Sequence, residues 1–211
     1  MQFEELLRLV ADQPLFETGL LLSGEADPND VRRQLSRWVS AGKLAQLRRG
    51  LYTLASPYQK VIPHPFLIAN FLMPGSYVSA QSALAYYGLI PEYVVRTLSV
   101  TTAHPAEWDG GFRFQHITSH LFFGYQRVEL SPEQSAFVAT PEKAILDLAH
   151  LTPNADDTDY LRQLRLQNME RLNLGQLDAF ARRAGKPKWR RVADLVRNIA
   201  QEELDDYEEI P

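Results

Sequence analysis

Between Asp27 and Leu54 the chain changes hydrophobic period once, and that change limits what the segment can fold into. Val31, Leu35, Trp38 and Val39 recur at helical spacing, with Asp27 placed as an N-cap, Pro28 at the first helical position and Gly42 as a left-handed stop. Asn29, Arg33, Ser36, Arg37 and Ser40 fall on the opposite side of that wheel. The pattern then becomes strand-like, KLAQLRR followed by LYTLA, with Arg49-Gly50 at the turn. Leu44, Leu47, Leu51 and Leu54 are placed to face the helices. Upstream, Phe3, Leu6, Leu7 and Val10 predict a helix from about Gln2 to Asp12, stopped by Pro14, and a second short helix is expected over 16–22. Three helices followed by a two-stranded ribbon describe a winged helix-turn-helix, in which the third helix enters the major groove and the wing touches backbone.

Charge distribution supports that reading although the net charge is -4. From Val31 to Pro91 there is no Asp or Glu, while Arg32, Arg33, Arg37, Lys43, Arg48, Arg49 and Lys60 lie in the span. The acids gather elsewhere, most densely from Glu202 to Glu209. Asn29, Arg32, Arg33, Ser36, Arg37, Ser40, Lys43, Arg48 and Arg49 are therefore the expected DNA-binding residues, Arg33 and Arg37 suited to guanine edges or phosphate and Arg48 and Arg49 to phosphate or the minor groove. Trp38 shares its face with Val31 and Leu35 and belongs to the core. The expected partner is an operator, an inverted repeat read by a monomer or weak dimer that pairs on DNA.

With 211 residues the chain can hold two domains. It has no cysteine, which removes disulfides, thiol nucleophiles and thiolate-bound zinc. No apolar run approaches a bilayer span, no membrane partner is expected, and the acidic start MQFEELLRLVADQP is unlike a signal peptide, so the chain reads as cytoplasmic. Three prolines between Ser56 and Pro65 mark a linker, giving a winged-helix domain over 1–56, an α+β domain over 66–151, a helical region over 155–205 and an acidic tail over 206–211. The fold class is α+β. The runs VVRTLSVTT, GFRFQHITS, LFFGYQRVEL and AFVAT read as strands, and Thr140-Pro141 opens a helix to Leu151.

Other constellations are weaker. His116 and His120 lack a third ligand, and Glu107, Asp109, Glu129 and Glu133 lack the spacing of a metal-dependent nuclease, so neither a metal, a cofactor nor an enzymatic activity is expected. Arg182, Arg183, Lys186, Lys188, Arg190, Arg191 and Arg197 form a second basic cluster around Trp189. It fits phosphate, RNA or an acidic partner, or a surface paired with or shielded by the acidic tail.

Three segments carry a family resemblance: LSRWVSAGKLAQLRRGLYTL (35–54), YVSAQSALAYYGLIPE (77–92) and ATPEKAILDLAHL (139–151). In order and type they resemble the AbiEi-type antitoxins of bacterial type IV toxin-antitoxin systems, which are linked to abortive phage infection. The resemblance implies a winged-helix domain that represses its own operon and a C-terminal domain that counters a nucleotidyltransferase toxin without a stable complex. It makes Ser79, Ser82, Glu142, Lys143 and Asp147 candidates for the antitoxin surface. From the residues alone, Ser79 reads as a helix cap, Ser82 as a small packing position, Glu142 as a helix-dipole partner and Asp147 as a cap or local pair. A winged-helix scaffold for protein contacts and a nuclease with a DNA-binding arm are the alternatives.

Overall fold

The computed structural model describes residues 1–22 and 27–208. The fold is α+β, and the chain divides into two compact units: Met1–Pro74 with Glu129–Ser135, and Gly75–Val128 with Ala136–Pro211.

The first unit begins with α1 (Phe3–Val10), β1 (Phe16–Glu17), a 3-10 turn over Thr18–Leu22, α2 (Pro28–Ser40), β2 (Leu44–Arg48), β3 (Leu51–Leu54) and α3 (Pro65–Leu72). Helix α2 starts where its caps require: the Asp27 side chain accepts from Asn29 N, Pro28 follows, and Gly42 turns out with φ 67°. Its Val31 and Leu35 are buried with Phe3, Leu6 and Val10 of α1 and with Leu44, Tyr52 and Leu54 of the hairpin. Trp38 packs against this core, its ring edge-on to Phe3 at 5.4 Å between centroids. The hairpin pairs Leu44 with Leu54 and Gln46 with Tyr52.

The short helix expected over 16–22 forms only in part, as a 3-10 helix over Thr18–Leu22, and its first two residues are a strand. Phe16 and Glu17 pair with Tyr52 and Leu51 on the open edge of β3, making a three-stranded sheet in the order β1-β3-β2. A seven-residue segment containing Gly19 gains little from helix nucleation, whereas the edge of β3 offers it ready hydrogen-bond partners. The structure also divides at Pro74, beyond the proline-rich 56–65 segment. Helix α3 groups with the first unit because its ends are tied there: His64 N donates to Gln134 Oε1 (2.7 Å), and Arg48 donates to the carbonyl of Phe71.

The second unit carries β4 (Ser76–Val78), α4 (Ala80–Tyr86), β5 (Thr97–Thr101), β6 (Ala106–Trp108), β7 (Phe112–His116), β8 (Tyr125–Ser131), β9 (Gln134–Ala139), α5 (Pro141–Leu151), α6 (Thr158–Gln163), α7 (Leu174–Ala184) and α8 (Pro187–Glu208); the β8–β9 tip, Glu129–Ser135, groups with the first unit. The six strands form one mixed sheet in the order β6-β7-β5-β4-β9-β8. Short β6 pairs antiparallel with β7 across the Asp109-Gly110-Gly111 turn. Helix α5, capped by Thr140 and started by Pro141, packs against α4, α7 and α8. Every residue from Glu142 to Ala149 is buried, which is how a helix hemmed in by neighbours on all sides must sit. The helical 155–205 region belongs to this same unit. The side chains of the 206–211 tail lie outside the described residues. No helix among the described residues is long and apolar enough to cross a membrane.

The start of α3 supplies a pH test. His64 is its N-cap, and Nδ1 accepts the Phe66 amide at 3.1 Å, a role open only to the neutral ring. Burial holds the His64 imidazole below its ordinary range near pKa 6.5. A base depressed in the folded state gives up stability as pH falls below the unfolded value, because the unfolded chain takes the proton first. The hydrogen-exchange protection of the Phe66 amide is therefore expected to hold at about pH 7 and to drop on going to about pH 5. Equal protection at both would exclude the imidazole as the cap.

Candidate nucleic-acid interface

With Val31 and Leu35 inside, helical geometry leaves the opposite side of α2 to solvent, where Asn29, Arg33, Ser36, Arg37 and Ser40 are all exposed, and Arg32 is exposed on the flank of that side. At about 100° per residue, Asn29, Arg33, Ser36, Arg37 and Ser40 span roughly a third of the helix circumference. Arg33 pairs with Asp30, one turn earlier, but both groups stand in water, where such a pair is weak and easily exchanged for phosphate. Arg32, Arg37 and Arg49 have no carboxylate partner among the described residues. Arg49 is exposed at the tip of the β2–β3 hairpin, where Gly50 takes φ 85°.

Two of the expected contacts are placed differently. Lys43 is half-buried, with Nζ 4.4 Å from the centroid of the Phe3 ring, so its charge is drawn over α1. Arg48 is folded back on the protein, donating to Phe71 O (3.0 Å), Arg49 O (3.1 Å) and Glu17 Oε1 (2.8 Å). Three of its five N–H donors are engaged by fixed acceptors of the protein itself, so Arg48 is held back against the protein where Arg49 is not.

In the second unit the motif residues come together, but not on a surface. Ser79, Ser82, Glu142, Lys143 and Asp147 are all buried, Lys143 and Asp147 completely. Lys143 Nζ pairs with Asp147 one helical turn away and donates to Tyr77 Oη at 2.7 Å. Asp147 accepts from Tyr77 Oη (3.0 Å) and from Ser79 Oγ (2.7 Å). The rings of Tyr77, Phe123 and Trp189 stand 5.2 to 5.4 Å from the ammonium. Burial pulls the Lys143 ammonium below its usual pKa, against the opposing pull of Asp147. Burial and the neighbouring carboxylate push the Tyr77 phenol far above its usual range. The phenol thus stays a donor to Asp147 while accepting from Lys143.

These residues are therefore internal ties and not an exposed antitoxin patch. Ser79 occupies the N-cap position of α4, but its hydroxyl is spent on Asp147 and makes no cap bond. Ser82 Oγ donates to Arg96 O and accepts from Leu98 N, stitching α4 to β5. Glu142, in the first turn of α5, accepts from Asn173 N (2.8 Å) and so holds the start of α7. Sequence inspection did not show Tyr77 as part of this cluster; its place in the YVS motif one period before Ser79 was the available signal.

The remaining candidates separate. His116 Nδ1 lies 3.0 Å from Ala103 O and His120 Nδ1 lies 3.1 Å from Thr118 Oγ1, each in a local contact. Glu107 pairs with Arg113 across β6 and β7. Glu107 and Asp109 belong to the second unit, Glu129 and Glu133 to the first. In the basic cluster Arg191 pairs with Asp156, Arg197 with Asp178 and Asp194, Lys188 donates to Thr152 O, and Arg183 stacks 4.0 Å from the Phe123 centroid. The carboxylate at the acidic end that has a described partner, Glu202, pairs with Arg162, outside the cluster. Continuous α8 places Arg190 and Glu202 about 18 Å apart along its axis, too far to pair within one chain.

Neither a protein-family model nor a curated protein matches the chain. Among solved structures, the crystal structure of the RV2827C protein from Mycobacterium tuberculosis is similar, with a TM-score of 0.57 and 18% sequence identity, covering 92% of this chain and 75% of that one. At that identity the likeness bears on the fold alone.

Breaking the buried pair from one side has a defined cost. Lys143→Met leaves an ionised carboxylate buried without its cation and is expected to lower stability by about 3 to 5 kcal/mol. Combining it with Asp147→Leu removes both charges and should cost clearly less, as read by urea denaturation. A single variant as stable as wild type would mean that the charges are not paired in the folded chain.

Proposed function

We propose that the first unit is a winged helix-turn-helix that binds duplex DNA, with α2 as the recognition helix in the major groove and the β2–β3 hairpin as the wing. The chain then acts as a transcriptional repressor of its own operon and as the antitoxin of a type IV toxin-antitoxin pair, countering a nucleotidyltransferase. One observation carries the DNA reading: the outer face of α2, its flank at Arg32 and the hairpin tip present Arg33, Arg37, Arg32 and Arg49 to solvent, and the one carboxylate paired with them among the described residues is the exposed Asp30. Arginine at an exposed helix face can read guanine bidentately, and short hydroxyl and amide side chains beside it bond bases or phosphates. The antitoxin part rests on the resemblance of the three motif segments. A single winged helix reads few base pairs, so two copies on an inverted repeat supply the specificity.

The unit departs from the usual three-helix arrangement by having β1 and a 3-10 turn where the second helix is expected. This substitution leaves the buried face of α2 filled, since Phe16 and Leu21 join the same core. A protein-binding role has its own support in the loop before β5, where Tyr93 and Val95 are 90% and 81% exposed. Co-purification of a partner lost on Tyr93→Ser, without any duplex binding, would favour that reading.

Fluorescence anisotropy on a repeat from the gene's own promoter and on an unrelated duplex tests the DNA reading. Arg33→Ala and Arg37→Ala are each expected to weaken binding to the repeat by about 1 to 3 kcal/mol with little effect on the unrelated duplex. Arg49→Ala should weaken both alike and reduce the salt slope by about one. Unchanged binding in all three variants would overturn the assignment.

A further inference from the structure

The two arginines before Gly50 adjoin in sequence but are treated in opposite ways. Arg49 is exposed, while the Arg48 side chain is only 22% exposed and its guanidinium reaches three separate elements. Nε meets the carbonyl of Phe71 in the last turn of α3, Nη1 meets the carbonyl of Arg49 in the hairpin turn, and Nη2 meets Glu17 on β1. The last carbonyls of an α-helix have no partner within the helix. Helix α3 has no basic residue of its own in its last turn, so Arg48 supplies both a donor and the favourable charge.

The other side of the turn is held as well. Gly50 O accepts from Thr18 N at 2.9 Å and from Thr18 Oγ1 at 3.4 Å. The register of β2 against β3 shifts between Gln46 and Arg48, a bulge of the kind that re-aims a side chain at a strand end. The tip carrying Arg49 is therefore bolted from β1, from the 3-10 turn and from α3.

We infer that Arg48 is a positioning residue: it touches no nucleic acid, and it holds the hairpin turn so that Arg49 is presented to a DNA phosphate. The inference rests on the DNA reading of the first unit. Lysine cannot replace it, because a single ammonium nitrogen cannot meet three acceptors spread around a planar fork.

The test measures binding of the full chain to an unrelated duplex by anisotropy at several salt concentrations, with circular dichroism and thermal unfolding of each variant alongside. Arg48→Ala is expected to lose affinity to the same extent as Arg49→Ala, on the order of ten-fold. The double variant should lose no more than Arg49→Ala alone, the signature of one residue acting through the other. Arg48→Lys keeps the charge, favours retention of the fold, and should bind as weakly as Arg48→Ala. Glu17→Ala gives a test of sign: removing a negative charge near DNA would tighten binding by Coulomb attraction, whereas releasing Arg48 should weaken it. Additive losses in the double variant, full rescue by Arg48→Lys, tighter binding by Glu17→Ala, or wild-type affinity in Arg48→Ala would each overturn the inference while leaving the DNA reading in place. Absence of salt-dependent duplex binding by the wild-type chain would overturn both.

Discussion

Burial of the Val31 and Leu35 face of α2 against α1 and the hairpin is the constraint on which the first unit depends. A helix that commits those positions to a core has no choice about the rest: Arg32, Arg33 and Arg37 must stand in water. The same core fixes the hairpin, since Leu44, Tyr52 and Leu54 close it from the sheet side. The exposed cationic face of α2 therefore follows from apolar packing, with the charges placed by exclusion. Two neighbouring cations are held away from that face, Lys43 drawn over a ring and Arg48 by three internal hydrogen bonds.

The second unit solves a different problem with ionic groups. Tyr77 and Ser79 lie at the β4–α4 junction, Lys143 and Asp147 in the buried stretch of α5, and the four meet in one hydrogen-bonded cluster. Such a pair gains little over apolar residues of equal volume, and its hydrogen bonds tie α5 to the β4–α4 junction. The two later motif segments that resemble the antitoxin family converge here, so their residues mark how the unit is assembled. Any surface that recognises a toxin must be made of other residues.

Much of this was legible in the sequence. Caps and stops bounded α2 and α5 because Asp27, Pro28, Gly42, Thr140 and Pro141 act locally, through their own backbone and nearest neighbours. Strands β2, β3, β5, β7, β8 and β9 were visible from alternating, β-branched and aromatic runs, whereas the short β1, β4 and β6 were not. What escaped were outcomes decided by distant competitors. Phe16 and Glu17 became a strand because β3 had an open edge at Leu51 and Tyr52, far along the chain. Arg48 turned inward because the end of α3 and Glu17 happened to offer acceptors. Polar side chains at Ser79, Lys143 and Asp147 gave no sign of burial, since a residue type reports its chemistry and not whether partners elsewhere will satisfy it.

The most direct test of the charge-by-exclusion account is a chemical-shift map. Adding a promoter duplex to the isotope-labelled chain is expected to move the backbone amides of Arg33, Ser36, Arg37, Ser40 and Arg49, and to leave Lys143 and Asp147 in place. Shifts concentrated in the second unit, or none in α2 and the hairpin tip at low salt, would contradict it.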